Sequence, residues 1–262
     1  MNAVVQHTYG LAGPSYAGER LSSPRRLARI AGVFYLLVGI FGGFAEGFVD
    51  PKLYVPGNAA ATAANLLANP GLVRIGVVAH LLDATFYVLT AMVFYVLLQH
   101  VHRSIARSIL VFAALAVGIL TLNAVFQFEA LQVSTDGSYA GAFGIAGSNA
   151  LVLLLLDIQH HGTLAAQVFF GLWLAPLGYL AYKSGLFPRA LGVLLVAATV
   201  CYLVDLLVAF LAPDLGRQIH GSVVIVPAIA EIWMVLYLLV MGVRSPRPAG
   251  LPSVVDLAPV AA

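Results

Sequence analysis

A chain of 262 residues that is 61% hydrophobic and 9% charged, with a mean hydropathy of +0.96, is too apolar for a water-soluble domain. Such domains are about 25% charged, and at this length leave roughly a quarter of the chain's surface in water. The net charge of +2 is scattered along the chain, which excludes nucleic acid as a partner, and the single Cys201 excludes an internal disulfide or a thiolate metal cluster.

In chain order, residues 1–24 are polar and rich in Gly, Pro and Ser, which predicts a flexible tail. A membrane-crossing helix needs about 20 apolar residues. Six runs meet that length, at about 29–49, 73–98, 106–131, 160–182, 188–212 and 221–243. The runs are continuous rather than alternating, which points to helices and not to a β-barrel. The expected fold is therefore all-α: a polytopic integral membrane protein with six transmembrane helices in one bundle over 25–245. A Pro-rich flexible tail over 246–262 follows it. The "SPRRLARIAG" stretch has the look of a secretory signal, but five further spans follow it, so the first span is a retained anchor.

Two pieces are expected not to cross. "NAAATAANLLA" at 58–68 is led by Asn58 as a helix N-cap, stopped by "NPG", and too short to span. One helix from Ser148 to Tyr182 would extend roughly 50 Å. Residues 148–159 are therefore expected to lie along the interface or to dip in and out, with a bend near Gly162. Gly32, Gly39, Gly42 and Gly43 in the first span are close-packing positions.

Basic residues set the orientation. With a cytoplasmic N-terminus, Arg20, Arg25, Arg26, Arg29, Arg103, Arg107, Lys183, Arg189, Arg244 and Arg247 lie inside, against Lys52, Arg74 and Arg217 outside. That bias places both termini in the cytoplasm.

Against this frame the ionisable residues fall on one side. Glu46, His80, Asp83, Asp205 and Glu231 occupy the outer half of the spans or the midplane, and "DIQHHG" adds Asp157, His160 and His161 at the outer lip of the fourth. A carboxylate at the bilayer centre costs about 2.5–3.5 kcal/mol on insertion scales, so these groups should face the bundle interior or a wet cavity. The eight are the candidate ligand- or proton-binding residues. Asn123, Gln127 and Glu129 are supporting polar groups, the first two as interhelical hydrogen-bonding partners. His80 with Asp83, and Asp157 with His160 and His161, share helix faces at i, i+3 and i+4, where a carboxylate accepts a hydrogen bond from imidazole.

"RLARIAGVFYLLVGIFGGFAE", "VPGNAAATAANLLANPGLVRIG", "FFGLWLAPLGYLAYKSGLFPRALGVLL" and "PAIAEIWMVLYLLVMGVR" together resemble the bacterial membrane family catalogued as domain of unknown function 4386, over about Pro24 to Arg244. The resemblance implies a six-helix protein of a bacterial cytoplasmic membrane. It carries no activity, cofactor or catalytic residue.

The leading expectation is a non-enzymatic membrane protein with an outward-facing polar cavity that binds or senses a small ligand, a lipid headgroup or a proton. One alternative is a metal-dependent hydrolase near the outer leaflet, holding Zn²⁺ through His80, Asp83, His160 and His161. No HExxH, P-loop or G-x-S-x-G pattern accompanies that set. A structural or accessory subunit without a site is the other alternative. The lipid bilayer is the one partner the composition implies, and no cofactor is indicated outside the zinc alternative.

Overall fold

The computed structural model describes residues 23–244, so the tails expected over 1–24 and 246–262 lie outside the described residues, except for Ser23 and Pro24, which belong to the start of the first helix. Helix α1 (Pro24–Phe44) continues through a π-helical turn (Ala45–Val49) into the short α2 (Asp50–Leu53). Then follow α3 (Ala59–Ala68), α4 (Pro70–Leu98), α5 (Arg103–Thr135), α6 (Gly137–Ser184), α7 (Arg189–Leu211), α8 (Pro213–Val223) and α9 (Ile225–Val240). Six stretches are long and apolar enough to cross a membrane: Pro24–Leu53, α4, α5, α6, α7 and Pro213–Val240. No strand occurs among the described residues. The all-α, six-span expectation therefore holds.

Local chemistry sets the ends. Ser23 caps α1 with Pro24 at its first position, where a missing N–H costs nothing. The Asn58 side chain accepts from the Ala61 N–H at 3.0 Å, so α3 begins where its cap predicts. Gly185, at φ 68°, supplies the left-handed turn that ends α6.

Helices α1, α4, α5, α6, α7 and α9 pack in that order, and α9 returns to α1, closing the ring. The outer surface carries large apolar side chains such as Val33, Ile40, Met92, Leu115, Val200 and Ile232, which in water would be anomalous. Two apolar clusters fill the two ends of the ring. One, around Phe94, Leu98, Ile109, Leu177 and Leu191, lies toward the basic end, where α1 starts and α9 stops. The other, with Leu53, Leu66, Val73, Leu131 and Leu156, joins α2 and α3 to the far ends of α4, α5 and α6.

The expected interfacial stretch 148–159 is instead part of α6. The one break is at Gly144 (φ 71°, ψ 165°), a conformation that only glycine adopts without strain, and not near Gly162. Residues 145–184 run as one helix of roughly 60 Å. This length is stable because Val152 and Leu156 pack on Leu53, Leu66 and Leu131, so protein rather than lipid covers the projecting part. Gly162 sits where a side chain would strike Asn123 of α5.

Of the four first-span glycines, two pack closely. A Cβ on Gly32 would stand 2.9 Å from the Leu238 Cβ, and one on Gly42 would stand 3.3 Å from the Asp83 carboxyl. A Cβ on Gly39 or Gly43 would meet nothing within 4 Å, so these two are open positions and not packing contacts.

Candidate functional site

Asp83 lies in the middle of α4, thirteen residues from its first and fifteen from its last. Tyr35 lies about 16 Å along α1, and Glu231 about 14 Å from the end of α9, each at 1.5 Å per residue. These three residues therefore meet near mid-depth in the ring. They line a cavity of about 230 Å³ with Glu46, Tyr87 and Tyr202. Trp173 and Phe170 of α6 close one wall, and Gly39 and Gly42 leave room on the α1 side. No Lys, Arg or His is among the described residues that line it.

Glu231 is held from two sides. The Tyr35 hydroxyl donates to its Oε2 at 2.7 Å, and the Tyr202 hydroxyl donates to its Oε1 at 2.8 Å. The Asp83 carboxylate accepts no hydrogen bond from any described residue, and the buried Tyr87 hydroxyl has no partner. Such orphaned groups are rare in folded proteins and costly when dry.

Glu46 also borders a second cavity of about 500 Å³, nearer the α2–α3 end. Asp50, the first residue of α2, is its centre. Gln127 of α5 donates to Asp50 Oδ1 at 2.8 Å, and Gln159 of α6 donates to Oδ2 at 3.2 Å. His80 of α4 brings its Nε2 to 3.2 Å from Oδ2, an arrangement that favours the Nε2–H tautomer as donor. Three helices are thus tied to one carboxylate. The side-chain carbonyls of Gln127 and Gln167, which line this cavity, are buried without a donor.

A third cavity of about 830 Å³ shares Tyr54, His160 and His220 with the second, as the second shares Glu46 with the first, so the three are neighbours. Asp205, 2% exposed on its side chain, faces the His220 Nδ1 of α8 at 3.0 Å from both carboxylate oxygens. Arg217 pairs with Asp214 on the surface of α8. The Tyr54 hydroxyl donates to Asp157 Oδ1 at 2.5 Å. Burial, with that hydrogen bond second, pushes the Tyr54 hydroxyl well above its usual range, so it remains a donor at all physiological pH.

The expected residues therefore divide. Glu46, Asp83 and Glu231 converge on one cavity. His160 lines the second, His80 bonds to Asp50 of its wall, and His161 and Asp205 line the third. Asp157 is bound to Tyr54, and Asn123 donates to Thr163 Oγ1 at 3.1 Å, linking α5 to α6. Glu129 is exposed and away from the three cavities, so it supports nothing there.

The two imidazole–carboxylate pairs expected within single helices do not form. His80 turns to Asp50 rather than Asp83, because Asp83 is directed at the gap beside Gly42. Asp157 is taken by Tyr54, and His161 Nδ1 approaches only the Asp157 backbone carbonyl, at 2.7 Å. Of the four zinc-ligand candidates, His80 and Asp83 are separated from His160 and His161. No three His, Cys, Asp or Glu side chains among the described residues stand close enough to hold a metal.

Sequence reasoning missed Asp50, Gln159, His220 and the tyrosines 35, 87 and 202. Asp50 stands one residue past the first apolar run at 29–49, outside the spans expected from the sequence. The tyrosines did carry a signal: a phenol deep in hydrocarbon needs a partner for its hydroxyl.

A family model described as domain of unknown function (DUF4386) matches residues 30–242. No curated protein and no solved structure matches the chain.

Proposed function

We propose that this chain, which belongs to the family described as domain of unknown function (DUF4386), is a multi-pass membrane protein that admits a small cation or protons from one face into an acid-lined pocket near mid-depth. The observation that carries this is the meeting of Glu46, Asp83 and Glu231 around one cavity with no basic side chain lining it. Asp83 and Glu231 near that depth, each costing about 2.5–3.5 kcal/mol when charged, with Glu46 toward the α2 end, call for protons or a cation to neutralise them. The second and third cavities adjoin the pocket on the side of α2, α3 and α8. Toward the basic end the ring is closed by Phe94, Leu98, Ile109, Leu177 and Leu191.

The excess of basic residues at that closed end supports a cytoplasmic location for both termini, so the pocket opens outward. We place the protein in a bacterial cytoplasmic membrane, on the family resemblance. A purely structural subunit has no use for unpaired Asp83 and Tyr87 beside a cavity. The metal-hydrolase alternative lacks converging ligands among the described residues.

One-sided access is directly measurable. Gly39 lines the pocket and a Cβ there meets nothing, so Gly39→Cys in a Cys201→Ala chain places a thiol in the pocket at no steric cost. A membrane-impermeant maleimide is expected to label it from the outer face of intact cells and not from the inner face of inverted vesicles. Ala91→Cys, within the closed half, is expected to remain unlabelled from both. Labelling of Gly39→Cys from neither face, or from the inner face alone, would overturn the proposal.

A further inference from the structure

The walls of the mid-depth pocket have an order that acidity alone does not explain. Trp173 meets Tyr87 edge to face, with centroids 4.8 Å apart and planes at 87°, and meets Tyr35 at 5.5 Å and 75°. Tyr87 meets Phe170 at 5.9 Å and 66°, and Phe170 meets Tyr202 at 6.4 Å and 63°. The rings thus follow one another as Tyr35, Trp173, Tyr87, Phe170, Tyr202, each turned steeply to the next. Glu231 closes the circuit, because its two oxygens accept from the first and last members, Tyr35 and Tyr202. All six side chains line the same cavity.

We propose that this pocket is an aromatic cage for a small organic ammonium ion, with the Glu231 carboxylate as its counter-charge. The proposal rests on the reading of the pocket as an acid-lined cation site and names the class of cation. Ring walls set at steep angles around a void attract a positive charge through their electron-rich faces, by about 2 kcal/mol or more per contact when desolvated. A bare metal ion is the poorer match. Calcium, for example, takes six to eight oxygen ligands at about 2.3–2.6 Å, whereas these walls are mostly carbon. A methylated ammonium needs no such shell and gives up little hydration on entering.

Size and polarity narrow the choice further. At roughly 30 Å³ per liquid water, the cavity of about 230 Å³ holds the equivalent of about eight waters, the scale of choline. The buried, unpaired Tyr87 hydroxyl is placed to meet a polar atom on a short arm of the ligand. Asp83, which accepts no hydrogen bond from the described residues, adds a second negative charge at the wall.

The protein carries its own reporter. It has two tryptophans, and Trp233 is on the exposed face of α9, so Trp233→Phe leaves Trp173 in the cage wall as the sole tryptophan, excited selectively over the tyrosines at the red edge of the absorption band. In maltoside micelles, which contain no ammonium group, choline and tetramethylammonium are expected to change its fluorescence saturably. The neutral carbon isostere of choline, 3,3-dimethylbutan-1-ol, is expected to leave it unchanged. Glu231→Gln is expected to weaken choline binding at least ~10-fold, a loss of about 1.4 kcal/mol.

Asp83→Asn removes a charge without breaking a hydrogen bond, and is expected to weaken binding several-fold; it serves if Glu231→Gln does not fold. Absence of a saturable response to both ammonium ions, an equal response to the neutral alcohol, or unchanged affinity in the folded variants would overturn the cage. Labelling of Gly39→Cys from outside together with no ammonium response removes the cage alone. Failure of labelling removes the underlying reading as well.

Discussion

Replacing Asp50 by alanine is expected to lower the unfolding free energy by about 2–4 kcal/mol, one of the two largest effects of any single change in this chain. The carboxylate accepts from His80 of α4, Gln127 of α5 and Gln159 of α6. Its removal leaves three donors without an acceptor, all of them on side chains that are at most 5% exposed. Each unsatisfied buried donor costs about 1–3 kcal/mol in soluble proteins, though interhelical hydrogen bonds measured within membranes average about 0.6 kcal/mol. The sum is therefore set toward the lower part of the arithmetic maximum. Asp50→Asn keeps one acceptor oxygen and should lose about half as much. Denaturation of the purified protein in detergent reads both. A loss below ~1 kcal/mol for the alanine variant would mean that water replaces the carboxylate at all three donors.

The second expected result concerns the seam between α6 and α7. Gly192→Ala should cost about 2–3 kcal/mol, and Gly192→Val more, because overpacking here presses on backbone and not on a side chain that can turn away. A Cβ at Gly192 would lie 2.8 Å from the Gly178 carbonyl oxygen and from the Tyr182 N–H nitrogen. A Cβ at Gly178 would in turn lie 2.7 Å from the Gly192 carbonyl oxygen. The two helices touch main chain to main chain, the arrangement by which small residues hold membrane helices together without a hydrophobic driving force. Gly118 of α5 is the control: a Cβ there meets nothing within 4 Å, so Gly118→Ala should be neutral or stabilise by up to ~1 kcal/mol through helix propensity. Equal melting temperatures for Gly192→Ala and Gly118→Ala would refute the contact.

What was legible in the sequence follows from which signals are local. Six runs of membrane-crossing length, the Asn58 cap and the short α3 are properties of neighbouring residues, and each appears in the fold. The acids of the pocket were also legible, since Glu46, Asp83 and Glu231 are conspicuous in so apolar a chain. Their partners were not. His80 and Asp83 stand three residues apart on one face, yet His80 bonds to Asp50 thirty positions earlier, a contact made by helix packing.

The bend of α6 shows the same limit. Gly144 and Gly162 are equal as letters, but one adopts a positive φ and the other accommodates Asn123. Gly32 and Gly39 likewise lie on one helix, one against Leu238 and the other beside a void. The tyrosines escaped because an aromatic residue in a span is usually assigned to packing or to the interfacial belt. Only their shared depth with Glu231 marks Tyr35 and Tyr202 as its donors.

The depth of Glu231 has an electrical consequence. A charge that crosses the whole membrane exchanges about 2.3 kcal/mol per 100 mV with the transmembrane potential. Glu231 lies about 14 Å from the end of α9, close to half of a hydrocarbon core about 30 Å thick. A cation that reaches it from outside therefore falls through about half of the field, gaining about 1.2 kcal/mol per 100 mV. With the interior negative, occupancy would follow the energised state of the membrane as well as the outside concentration. Affinity would change roughly sevenfold for each 100 mV. On the proposed outward-open reading, a dead-end pocket at this depth would respond to voltage without any moving gating helix, and dissipating the potential in vesicles should release the ligand.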